Sequence, residues 1–172
     1  MKWQDIDGWF SEGDEFMYYH MLNSIPNGGS FLEIGCYKGK STACMANLIL
    51  MSKKDVKIHV IDTFAGDDNC GFGDIYDQFM ANIKPYSHII GSVRRGTSYH
   101  MSQDNADYFD AIYIDASHKY DDVLRDIDSW LPFVTLGGCM GGHDYNWSSV
   151  HKAVNERFTE ITQVGNSWLV FP

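Results

Sequence analysis

Two short segments carry side chains suited to chemistry at a hydroxyl: Asp115 with His118, and His143 with Asp144. Two carboxylates that converge can hold a hard divalent cation such as Mg²⁺, which takes oxygen ligands and keeps several waters. An imidazole three residues after the first aspartate has an ordinary pKa of about 6.5 and can accept a hydroxyl proton at neutral pH. A structural reading stands beside this one, because Asp115 and Ser117 would serve equally as N-caps of a helix over 118–130.

A second group lies upstream, in Glu33-Ile34-Gly35-Cys36-Tyr37-Lys38-Gly39-Lys40-Ser41. Glycines at 35 and 39 let the backbone turn sharply and approach a ligand with no Cβ in the way. The helix that starts after them offers N–H groups to an anion. Tyr37 breaks the G-x-G-x-x-G dinucleotide pattern, and no P-loop lysine follows. Asp62 ends the next strand, where a carboxylate can accept both hydroxyls of a ribose or simply cap the strand.

Glu-x-Gly-x-Tyr-x-Gly-x-Ser resembles the first motif of class I S-adenosylmethionine-dependent methyltransferases, nearest the metal-dependent O-methyltransferases of the catechol type. Tyr113-Ile114-Asp115-Ala116-Ser117-His118-Lys119-Tyr120, followed by Gly138 and Gly142-His143-Asp144-Tyr145, resembles the macrocin-type sugar and macrolide O-methyltransferases. The resemblance spans residues 30 to 171 and implies a Rossmann-like, seven-stranded, mostly parallel sheet whose last strand inserts between the fifth and sixth. It implies that Glu33 and Gly35 line the methionine end of the cofactor, with Tyr37, Gly39 and Ser41 near its carboxylate. Asp62 would take the ribose, Thr63 and Phe64 would flank the adenine, and Ser98 would meet the adenine edge. It further implies that Asp115, which also borders the cofactor, and Asp144 bind the metal, and that His118 is the base. One departure stands out: Tyr145 occupies a place where the family usually has Asn or Asp, which leaves that ligand position to water, Asn146 or His143.

These residues need a scaffold that brings them to one edge. The spacing predicts a helix over 13–25, with Phe16, Tyr19, His20 and Ile25 toward one face, and then a strand over 30–34. A helix over 41–51 and a strand over 57–62 follow, then a long glycine- and acid-rich loop over 65–73. Further helices run through Phe79 and Ile83, between 97 and 107, through Val123, Ile127 and Leu131, and through Val150, Val154 and Phe158. Strands fall at 88–93, 110–115 and 137–142, and a closing hairpin pairs 160–164 with 167–171 about Gly165-Asn166. Strands alternating with helices mean a parallel α/β sheet covered on both faces, with ligands at the carboxyl ends of the strands.

The 172 residues carry 13 basic and 23 acidic side chains, a net charge of −10, and are 44% hydrophobic. That length and composition fit one domain with one core: a helical cap over 1–29 and a Rossmann-like core over 30–172. The acidic balance argues against a nucleic-acid partner. No apolar run reaches ~20 residues, which argues against a membrane span. The early acids argue against a signal peptide, and Cys36, Cys44, Cys70 and Cys139 read as small hydrophobes of a reducing cytoplasm. Tyr18 and Tyr19 read as core, whereas Phe72, Tyr76 and Trp147 read as a substrate wall.

The functional expectation is therefore an S-adenosylmethionine-dependent O-methyltransferase acting on a small hydroxylated molecule, such as a sugar, with a divalent metal and with its small open site completed in a homo-oligomer. A cofactor-binding module without catalysis, or a nicotinamide-dependent oxidoreductase, is the alternative; Lys119 or a water is the alternative base.

Overall fold

The computed structural model describes residues 2–67 and 71–172. Cys70 and the side chain of Phe72 lie outside that description. A seven-stranded sheet forms the centre, in the order β5-β2-β1-β6-β7-β9-β8. Its strands are β1 (Ser30–Ile34), β2 (Lys57–Asp62), β5 (Ile90–Arg95), β6 (Phe109–Ile114), β7 (Val134–Gly142), β8 (Thr162–Val164) and β9 (Ser167–Val170). The two remaining strands, β3 (Gly66–Asp67) and β4 (Gly71–Phe72), make a small antiparallel ladder within the expected 65–73 loop. The helices are α1 (Glu12–Ser24), α2 (Lys40–Ser52), α3 (Tyr76–Ile83), α4 (Ser98–Gln103), α5 (Tyr120–Trp130) and α6 (Ser148–Arg157).

Pairing is parallel from β5 through β7. The hairpin then turns back, and β9 inserts antiparallel between β7 and β8. The expected mostly parallel sheet with a closing antiparallel hairpin is therefore the fold. No helix among the described residues is long and apolar enough to cross a membrane.

Period-two alternation builds a core on each face. Phe31, Ala111 and Tyr113 face α1 and α2, while Leu32, Ile34, Ile112 and Ile114 face α5 and α6. On α5, Val123 and Ile127 are buried as their spacing predicts.

Two elements depart from expectation. On α1 the buried stripe is Asp14, Met17, Tyr18, Met21 and Leu22, so Phe16, Tyr19 and His20 face solvent, where the Phe16 and His20 rings meet edge to face. Tyr19 is thus a surface residue, and only Tyr18 is core. β5 begins and ends two residues later than its sequence suggests, because parallel pairing of Ile61 with Arg94 and Asp62 with Arg95 draws both arginines into the strand.

Candidate functional site

The carboxyl ends of β1, β2, β6 and β7 meet around Gly35. A Cβ at this position would lie 2.0 Å from the Asp115 carbonyl oxygen, and its φ is +83°, so glycine alone fits the crossing of the two chains. The Asp115 N–H donates to the Ile34 carbonyl at 2.7 Å and the Gly35 N–H to the Ile61 carbonyl at 2.9 Å, which brings three strand ends together.

Asp62 shapes the loop that follows. Its Oδ2 accepts from the backbone N–H of Cys36 at 2.7 Å and of Tyr37 at 3.0 Å, and its Oδ1 accepts from Phe64 N–H at 2.7 Å. These bonds hold Tyr37 at φ +49°, an uncommon conformation for a bulky side chain and one that occurs where surrounding structure enforces it. Gly39, at φ +86°, is the N-cap of α2, whose first turn begins beside the loop.

Beneath the loop, Glu33 is fully buried and accepts from Tyr18 Oη at 2.8 Å and from the Thr42 and Ser41 hydroxyls. Burial pushes its carboxyl up to about 7, and those three donors oppose the shift.

The second half of the site is a carboxylate–imidazole cluster. His118 Nε2 lies 2.8 Å from Asp144 Oδ2, and His143 Nδ1 lies 3.3 Å from Asp144 Oδ1 and 3.9 Å from Asp115 Oδ1. The other nitrogen of His143, Nε2, is 3.1 Å from Oδ1 of Asp14 on α1. With carboxylate oxygens near both ring nitrogens, His143 is held as an imidazolium. Burial works against that charge, but Asp14, Asp144 and Asp115 push its pKa up to about 11.

Burial also opposes ionisation of Asp14, yet hydrogen bonds from His143 and Ser11 hold it down to about 2. Asp144 is likewise held well below the ordinary carboxylate range by His118 and His143. Asp115 goes the other way: burial raises it to about 6, with His143 and Asp144 acting in opposite senses. Asp144 sits at φ +54°, a left-handed conformation that Asp tolerates better than most residues.

A cavity of about 660 Å³ joins the two halves. Gly35, Tyr37 and Ser41 line it from the loop, and Asp115, His118 and Asp144 from the cluster. Six predicted residues sit outside its wall: Glu33 lies under Ser41, Gly39 caps α2, Asp62 braces the loop from behind, and Thr63, Phe64 and Ser98 lie beyond it. Thr63 is exposed beside Asp62.

Three sequence-based assignments are corrected. Phe64 is fully buried against Tyr76 and Phe79 and so serves the core, and Tyr76 packs there instead of forming a substrate wall. The Ser98 hydroxyl accepts from Trp130 Nε1 at 2.7 Å and bonds Asp126, so it ties α4 to α5. Trp147 does line the cavity, with its ring 4.7 Å from that of His118. Tyr145, at the departure from the resembling motif, turns into the core, where its hydroxyl accepts from Asn155 at 2.7 Å.

Sequence reasoning missed Asp14. The available signal was a charged residue standing inside the apolar stripe of α1.

Comparison with known proteins bears on the fold and the family. The methyltransferase-domain family profile matches residues 32–145. Uncharacterized protein R132 of Acanthamoeba polyphaga mimivirus is 25% identical over 167 residues, covering 84% of this chain and 68% of its own. Uncharacterized protein y4gI of Sinorhizobium fredii is 24% identical over 115 residues; the match takes in 66% of this chain but spans only 13% of that protein's length.

Among solved structures, the O-methyltransferase NovP superposes with a TM-score of 0.68 at 16% identity, covering 91% of this chain and 78% of its own. CalS11, a TDP-rhamnose 3'-O-methyltransferase of calicheamicin biosynthesis, gives 0.65 at 12% identity, covering 91% and 76%. SMU.1697c of Streptococcus mutans, solved in complex with SAH, gives 0.65 at 10% identity, covering 94% and 97%. The profile match takes in well over half of the chain, from the third residue of β1 through the Asp144 turn, and on that ground the protein belongs to the methyltransferase-domain family.

Proposed function

We propose that this protein transfers the methyl group of S-adenosylmethionine to a hydroxyl of a small molecule. The observation that carries this reading is the single cavity joining the glycine loop to the Asp115, His118 and Asp144 cluster. The loop side suits the cofactor. Tyr37, Ser41 and the amides at the start of α2 face the place where an amino-acid carboxylate would dock.

The cluster side suits the acceptor. An acceptor oxygen attacks the methyl carbon as the carbon–sulfur bond breaks, the bonding pair stays on sulfur, and the hydroxyl proton must leave. His118 is the group placed to take that proton. Its Nε2 faces Asp144 Oδ2 at 2.8 Å, the arrangement by which a carboxylate orients a catalytic imidazole. The remaining acceleration comes from holding nucleophile, methyl and sulfur in line.

The donor set also fits a divalent ion: Asp115, His118 and Asp144 bring ligand atoms within 4.8 Å of one another. Two carboxylates with an imidazole match a hard to borderline cation. When bound, such an ion would polarise the acceptor oxygen. His143, with Nε2 facing Asp14 and Nδ1 facing Asp144, serves to balance the carboxylates.

The reading is tested by calorimetric titration with S-adenosylmethionine and with NAD, followed by transfer of a labelled methyl group to a panel of hydroxylated metabolites. Binding of the first alone, with label appearing on an acceptor oxygen, is the expected result. NAD binding, or cofactor binding with no transfer to any acceptor, would overturn it.

A further inference from the structure

The cavity has two aromatic lips, and neither lies in the stretch matched to the family. Trp9 comes from the segment before α1 and Trp147 from the turn before α6, while the match covers residues 32–145. Both indoles are exposed, at 63% and 46%. Each is propped in place: Trp9 packs on Tyr37 with centroids 5.4 Å apart, and Trp147 on His118 at 4.7 Å.

The segment bearing Trp9 is anchored by buried Trp3, Ile6 and Phe10 and latched by the Lys38–Asp7 ion pair at 2.7 Å. The backbone of Trp147 is fixed by its main-chain N–H, which donates to the Asp144 carbonyl at 2.8 Å. The lips are therefore built into the fold, and an exposed, supported aromatic face offers an apolar flat surface to a ligand.

Between the lips the wall is polar. Ser11, His118, Asp144 and Asn166 line it on the acceptor side. A pyranose ring matches both surfaces, since its C–H faces are apolar and its hydroxyls project from the rim. A phenolic ring would set much of its apolar edge against Asp144 and its neighbours. Charge narrows the choice further. Asp14, Asp115 and Asp144 all line the cavity, and Lys40 is the one Lys or Arg among the described lining residues. Its Nζ is committed to the Gly8 carbonyl at 3.0 Å. A phosphate normally meets an arginine fork or lysines; here it would meet three carboxylates, and His143, which also lines the cavity, already faces Asp14 and Asp144.

Resting on the methyltransferase reading of this site, we propose that Trp9 and Trp147 are its specificity-determining walls, and that they select an unphosphorylated pyranoside, taken face-on, against nucleotide-linked or phosphorylated sugars.

The test is calorimetric binding, with and without SAH, of methyl pyranosides of the gluco, galacto, manno and rhamno series, of the matching sugar 1-phosphates, and of catechol. At least one methyl pyranoside should bind, with its 1-phosphate about tenfold weaker or worse. Trp9→Leu and Trp147→Leu should each weaken that pyranoside by about tenfold, Phe at either position should restore most of it, and SAH affinity should stay unchanged. Failure of every pyranoside to bind, tighter binding of a sugar phosphate or catechol, or Leu variants that match the wild type would each overturn the proposal. Failure of the wild type to bind SAH would overturn the methyltransferase reading instead, and the pyranoside measurements without SAH would still judge the two tryptophans.

Discussion

His118 and Asp62 are the two residues whose roles the geometry separates most sharply from their sequence-level reading. At His118, one ring nitrogen already faces Asp144 at 2.8 Å, so proton acceptance and metal ligation make different demands on the same imidazole. If it acts as the base, His118→Ala should lower kcat by about 10²–10⁴-fold with cofactor affinity intact and the metal requirement, if any, unshifted. A variant recovered by raising the metal concentration would make His118 a ligand. Asp62 is spent on three backbone donors, so its deletion acts first on the fold. We expect Asp62→Ala to cost about 1–3 kcal/mol in urea unfolding, because the N–H groups of Cys36 and Tyr37 lose a charged acceptor. Cofactor affinity should fall along with it. Weaker binding at unchanged stability would mean that Asp62 holds the ribose and little else.

At the scale of elements, the crossing of β1 and β6 at Gly35 decides whether a site exists. Gly35→Ala would put a methyl group against the Asp115 carbonyl, backbone against backbone, with no flexible side chain to yield. The variant should be strongly destabilised or should displace Asp115, and either shows as loss of cofactor binding in calorimetry together with a lowered Tm. A stable variant with native affinity would mean that the strand ends can separate without harm. The sequence marked Gly35 as a close approach to a ligand, whereas the group it meets is the Asp115 backbone; β1, β2 and the hairpin were legible because short apolar runs ended by glycine or an acid leave little choice of element. The face of α1 was not legible: periodicity scores Asp14 as polar and Phe16 as apolar, and it is the tertiary partners His143 and Ser167, together with Ser11, that make burial of Asp14 favourable. The same limit explains Phe64 and Ser98, whose positions match a motif but whose side chains are claimed by Phe79 and by Trp130 and Asp126.

Across the whole molecule, Glu33 is the group that links global stability to pH. It joins α1 through Tyr18 and α2 through Ser41 and Thr42 to the central strand β1, with no exposure to solvent. Burial raises its carboxyl from 4.5 to about 7 against the pull of those hydroxyls. A folded-state pKa above the unfolded one means that folding takes up a proton between the two values. The stabilisation is fully present below about 4.5 and is lost as pH rises through about 7. At about 1.4 kcal/mol per unit, the swing is on the order of 3 kcal/mol. Glu33→Gln keeps the shape, and the three hydroxyls can rotate to accept from its amide. The other titrating groups, Asp115 and His143 among them, are common to both proteins and cancel in the difference. Urea unfolding at pH 5 and pH 8 should therefore show the wild type losing more stability than the variant on going to the higher pH. Equal losses in the two proteins would mean that Glu33 is ionised in the folded state throughout this range, held as an anion by Tyr18, Ser41 and Thr42.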